Sequence, residues 1–152
     1  MTGIETPQYL RVHAQTYRID RGEDGNVHGY LLNLSTGDFD QDDSLIAEVM
    51  LDMGGDVHVL DENRFIDETE IARANHLVGD GPIFAVYQTI DGLYDQAAAE
   101  GRGVGDQELA LITALRRRTF ALWAEDFARR DAGQQMENTV SKRGFHPDEA
   151  SD

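Results

Sequence analysis

The sequence predicts an α+β fold: a small antiparallel sheet from the N-terminal half packed against a C-terminal helical hairpin. Three observations predict it. Short runs rich in Val, Thr and Tyr, separated by Gly and Asp turns, fill the first third. Helical apolar spacing dominates after Pro82. The length of 152 residues suits one domain that buries a sizeable core without staples. We read residues 1–132 as that domain and 133–152 as a polar, flexible tail, because Gln, Glu, Asn, Ser and Asp replace apolar residues after Asp131.

Tyr9–Ile19 reads as a first strand and Val27–Leu34 as a second, joined into a hairpin by Asp20-Arg-Gly-Glu-Asp-Gly25. Asp43 or Ser44 caps a helix to Met53, whose stripe is Leu45, Ile46, Val49, Met50 and Met53. Gly54-Gly55 stops it. Val57–Leu60 is a short third strand. Asp67–Glu70 has the form of a capping box, which predicts a helix burying Ile71, Ala74 and Val78. Pro82 at a first-turn position and Gly101 as a stop predict a helix between them, weakened at Gly92. Asp106–Arg130 is the strongest helical pattern, with Leu109, Ile112, Phe120, Trp123 and Phe127 in one arc. The two last helices form the expected αα-hairpin.

Charge excludes one function class. With 29 acids against 13 Lys and Arg, the formal net charge is −16. Phosphate backbones are bound by clustered cations that release counterions, so direct nucleic-acid binding is not expected. Absence of cysteine removes disulfides, thiolate metal sites and a cysteine nucleophile. No apolar run reaches the ~18 residues of a membrane span, and the N-terminus lacks the pattern of a secretory signal. A cytoplasmic location is therefore the expectation, and no cofactor is implied.

Between Asp38 and Glu70 there are twelve acids and a single base, Arg64. Gathered on one surface, they would make a strong negative field that attracts a basic protein. The expected contact residues are Asp38, Asp40, Asp42, Asp43, Glu48, Asp52, Asp56, Asp61 and Glu62. The bland reading is a solvated acidic face with helix caps. Asp38-Phe-Asp40-Gln-Asp42-Asp43 resembles a calcium loop in its alternation. It fails the EF-hand pattern, with Asp43 where glycine belongs and Val49 where the bidentate Glu belongs.

His28, His58 and Asp61, near other acids, form a weaker set for a divalent ion or acid–base hydrolysis. The simpler reading is one hydrogen-bonded histidine and exposed acids. No Gly-x-Ser-x-Gly, P-loop or dinucleotide fingerprint is present, and Gly101-Arg-Gly-Val-Gly105 reads as a helix connection. Arg116 falls inside the aromatic arc of the last helix. With Trp123 it marks a possible secondary site, or else its stem packs on Trp123.

Three functions follow from these features. The first is a small acidic, non-enzymatic binding protein of inhibitor, immunity or regulatory type. It docks a basic partner, and in one version it imitates the phosphates of DNA. The second is a metal-assisted hydrolase using His28, His58 and Asp61. The third is a structural or assembly subunit that packs through the aromatic face of helix 106–130.

Overall fold

The computed structural model describes residues 5–51 and 55–144. Its N-terminal half forms a five-stranded antiparallel sheet and its C-terminal half a pair of long helices, so the fold is α+β as the sequence predicts.

The first apolar run is two strands, not one. Strand β1 (Gln8–Val12) turns back at His13-Ala14 into β2 (Gln15–Arg21), with Val12 opposite Gln15. Such a tight turn demands a left-handed residue, and His13 takes it at φ 58°. No Gly or Asn marks the place in the sequence, so the break was invisible there. Strand β3 (Val27–Leu32) completes the second, expected hairpin. Strands β4 (Phe39–Gln41) and β5 (Val57–Leu60) close the two edges, in the order β4-β3-β2-β1-β5.

Strand alternation assigns the two faces. Leu10, Val12, Tyr17 and Ile19 point one way and form a core with Val49, Leu45 and Ile46 of α1 (Ser44–Leu51). Tyr9 and Thr16 point the other way, toward α2 (Glu62–His76). The Tyr9 ring lies 4.8 Å from that of Phe65, and the hydroxyls of Thr16 and Thr69 meet at 2.9 Å. Residues 52–54, including the expected last turn of α1 at Met53, lie outside the described residues.

Helix α2 starts six residues before the expected capping box. Asp61 is its N-cap, and its carboxylate accepts from the Arg64 N–H at 2.7 Å. The earlier start turns Phe65, Ile66, Thr69, Glu70 and Arg73 inward and leaves Ile71 exposed, contrary to the expected stripe. Helices α3 (Pro82–Ala99) and α4 (Asp106–Asp131) follow as expected, with Pro82 in the first turn of α3. Helix α2 lies between the sheet and this pair: Phe65 meets Phe120 of α4 at 6.2 Å. Leu77, Ile83, Phe84, Tyr87, Leu122 and Trp123 form the second core.

The segment after Asp131 is not wholly the free tail that its composition suggested. Thr139–Lys142 forms β7 and pairs with β6 (Leu77–Asp80), a strand unforeseen because the helix expected there was carried through Val78. Asn138 is buried, and its backbone and side-chain N–H groups both donate to Asp126 on α4. One buried carboxylate thus anchors a polar segment that apolar surface could not. Residues 145–152 lie outside the described residues.

Candidate functional site

The acidic run does not fold into one patch, because the sheet passes through it. Asp40 stands opposite Leu31 in the ladder and shares its face, the face covered by α1. Asp42, Asp43 and Glu48 lead into or lie on α1, and Asp56 precedes β5. Asp61 and Glu62 begin α2, on the opposite face, where Glu62 accepts from the Tyr9 hydroxyl at 2.8 Å. Burial and that bond push the Tyr9 hydroxyl up to about 12. Asp38 turns toward α4 and pairs with Arg130 at 2.8 Å. Asp52 lies outside the described residues. Of the expected contact residues, the structure therefore groups Asp40, Asp42, Asp43, Glu48 and Asp56 around α1 and separates Asp38, Asp61 and Glu62 from them.

The partners of these carboxylates also differ by face. On the helical side Asp38 pairs with Arg130, and nearby acids also meet arginines: Glu68 with Arg11 and Arg64, Glu70 with Arg73, Asp126 with Arg129; Asp61 and Glu62 are held by a helix cap and by Tyr9 instead. Around α1, none of the five forms an ion pair with arginine or lysine among the described residues. Their ionic partners are two histidines. His28 holds Asp43 through Nδ1 at 2.9 Å and Asp24 through Nε2 at 2.8 Å. His13 meets Glu48 at 3.1 Å and Asp56 at 3.4 Å.

Both ring nitrogens of His28 face carboxylates, so both bonds form fully only when the ring is an imidazolium. The hydrogen bonds to Asp43 and then Asp24 raise its pKa above the ordinary value. The same bonds lower both carboxyls, Asp43 helped by the Gly29 N–H and Asp24 by the Asn26 N–H. Asp43 precedes α1, yet its carboxylate turns to the sheet. The Asp42 carboxylate instead accepts from the Ser44 N–H at 3.1 Å. A further tie joins Tyr17 to the Asp42 carbonyl at 2.5 Å, across Gly29, where any side chain would occupy the position of the hydroxyl. The acidic loop 40–44 is therefore held rigidly against β3.

The candidate metal set is not assembled. His28 is on β3 and His58 on β5, three strand spacings apart in the sheet, or about 14 Å. Asp61 is occupied as the cap of α2. Among the described residues, no group of three or more His, Cys, Asp or Glu is placed to hold a metal. Nor do Arg116 and Trp123 form a site together. Trp123 is fully buried and donates from Nε1 to the Tyr87 hydroxyl oxygen at 2.8 Å. The guanidinium stacked on it, at 4.8 Å, belongs to Arg73. Arg116 instead borders a cleft of about 190 Å³ with Glu70, Tyr87, Asp91 and Tyr94. The aromatic face of α4 is turned inward, with Phe120 and Phe127 half-buried beside Trp123.

Sequence reading missed Arg18 and Arg73, arginines that each lie over more than one aromatic ring. The Glu70–Arg73 spacing of three residues on an inward stripe was the available signal for one. Strand alternation beside Tyr17 and Ile19 was the signal for the other. No helix is long and apolar enough to cross a membrane among the described residues. Compared with protein-family models, curated proteins and solved structures, the chain matches none of them.

Proposed function

We propose that the protein is a non-enzymatic binding protein that docks a basic partner protein through the α1 face. The observation that carries this reading is the segregation of counter-charges. Among the described residues, Asp40, Asp42, Asp43, Glu48 and Asp56 surround α1 without an arginine or lysine in ion-pair contact, while four acids on the helical side are arginine-paired. Carboxylates that no arginine or lysine neutralises, on a rigid element, steer and orient a cationic partner. Exposed Met50 and Leu51 at the end of α1 supply apolar contact beside the acids.

The test compares the chain with a triple variant, Asp40→Asn, Glu48→Gln and Asp56→Asn, as immobilised bait in extract at low salt. The expected result is a basic protein retained by the native chain, released as salt rises, and lost from a folded variant. Retention that salt does not weaken, or that the variant shares, would remove the reading.

A further inference from the structure

A second cleft lies across the sheet from α1, and it is built from different residues. It encloses about 260 Å³ between Arg18, Tyr30 and Phe39 of the sheet and Phe120, Ala124 and Phe127 of α4. The strand pattern dictates the position of Arg18. Tyr17 and Ile19 face α1, so the residue between them faces the helices. Tyr30 is its cross-strand neighbour. The Arg18 guanidinium carbon sits 5.0 Å from the Tyr30 ring centre and 5.4 Å from that of Phe39.

This guanidinium is held by rings rather than by acceptors. Its Nε is buried and has no hydrogen-bond partner, and the nearest carboxylate, Asp20, is 3.8 Å away. Among the described residues, no side chain or carbonyl accepts a hydrogen bond from Arg18. The other cation at the cleft is already committed. Arg73 gives Nη1 to Glu70 and both Nε and Nη2 to the Gly37 carbonyl. Asp38, at the rim, is committed to Arg130.

We propose that this cleft binds a small aromatic carboxylate, with the carboxylate on Arg18 and the ring between Phe39, Phe120 and Phe127. An arginine with unused donors presents a planar fork that matches two carboxylate oxygens. Aromatic walls hold a flat ring by offset stacking. One cation, whose ionic contact among the described residues is the long 3.8 Å approach of Asp20, suits one negative charge, and Asp20 and Asp38 nearby repel a second. The volume falls just below the roughly 300–1,000 Å³ of pockets for larger ligands, which suits one ring or a fused pair.

Ligand-observed NMR with benzoate and 2-naphthoate tests this, with benzamide and acetate as neutral and ringless controls. Trp123, the sole tryptophan, stacks behind Phe127 at 5.6 Å, so its emission gives a second readout. Saturable binding of the aromatic acids is expected, with the controls roughly 10- to 100-fold weaker. Arg18→Gln abolishes it, as does Ala124→Phe, which fills the cleft from an exposed helix position. The triple α1-face variant binds benzoate like the native chain, so this proposal and the docking reading fail separately. Absence of saturable binding by the native chain, equal affinity for benzamide, or undiminished binding by a folded Ala124→Phe variant overturns the proposal. If Arg18→Gln does not fold, Ala124→Phe decides alone.

Discussion

Arg73 donates twice to the backbone carbonyl of Gly37, through Nε at 2.9 Å and Nη2 at 2.6 Å. These two residues are 36 positions apart, and their contact pins the loop between β3 and β4 onto α2. The chain of bonds continues inward. Arg73 Nη1 donates to Glu70 at 2.7 Å, the Tyr87 hydroxyl donates to the other Glu70 oxygen at 2.9 Å, and Trp123 Nε1 donates to Tyr87. Burial, with the Glu70 charge beside it, pushes the Tyr87 hydroxyl far above its ordinary value, so it stays a donor.

Breaking that pair from one side strands a charge. Arg73→Met leaves Glu70 buried without its cation and is expected to cost about 3–5 kcal/mol in denaturant unfolding. Adding Glu70→Gln should recover part of the loss, since a neutral amide replaces the orphaned carboxylate. A single-variant cost below about 1 kcal/mol would contradict the role given to the pair.

Gly37 has no room for a side chain. Its φ is +84°, and a Cβ there would lie 2.7 Å from Trp123 Cζ3. Gly37→Ala combines left-handed strain with a clash against a buried ring, so a loss of about 2–3 kcal/mol is expected. Trp123 emission should shift with it. An alanine variant with native stability and native emission would show that the loop moves freely.

Asp126 governs the polar strand. Burial pushes its carboxyl up, but the Asn138 side chain, the backbone N–H groups of Glu137 and Asn138, and Arg129 outweigh that and hold it below the ordinary 3.8. A lowered carboxyl contributes stability above its unfolded pKa and loses it as pH falls through the folded value. Hydrogen exchange in β6 and β7 is therefore expected to quicken below about pH 4, ahead of the sheet. Asp126→Ala strands several donors, and roughly 2–4 kcal/mol should be lost. Unchanged exchange in β7 of that variant would refute the anchor.

The His28 clamp has its own pH window. A base whose folded pKa lies above 6.5 contributes fully below 6.5, and that contribution fades as pH rises through the raised value. Asp24 and Asp43, lowered from 3.8, contribute above it and fade as pH falls through their depressed values. The clamp is thus complete between about pH 4 and 6.5. NMR titration should place the His28 midpoint above 6.5, and His28→Gln should remove the pH dependence of amide protection, taken relative to intrinsic exchange, at Gly29 and Ser44. A midpoint at or below 6.5 would argue against the paired geometry.

Local signals that needed no partner were legible. The short strand Val57–Leu60, Pro82 at the head of α3, and the helical run of α4 each depend on a few neighbouring residues, though Leu109 of the expected α4 stripe is exposed. The turn at His13 was not, because the residue types around it favour strand throughout. The start of α2 was misplaced because Asp61 and Asp67 offer equal capping chemistry. Only the burial of Phe65 and Ile66 against other elements selects the first.

For the candidate sites, composition alone determined the acid excess and the lack of thiol chemistry. Tertiary structure decided which acids meet an arginine among the described residues. Sheet order puts Asp40–Asp56 on one side and Asp61–Glu70 on the other, and among the described residues Arg11, distant in sequence, and Arg64 and Arg73, on the same helix, reach only the second group. The same long-range packing leaves Arg18 between aromatic rings while committing Arg73. Charge count is a local property of the chain, whereas counter-charge pairing depends on distances that only folding sets.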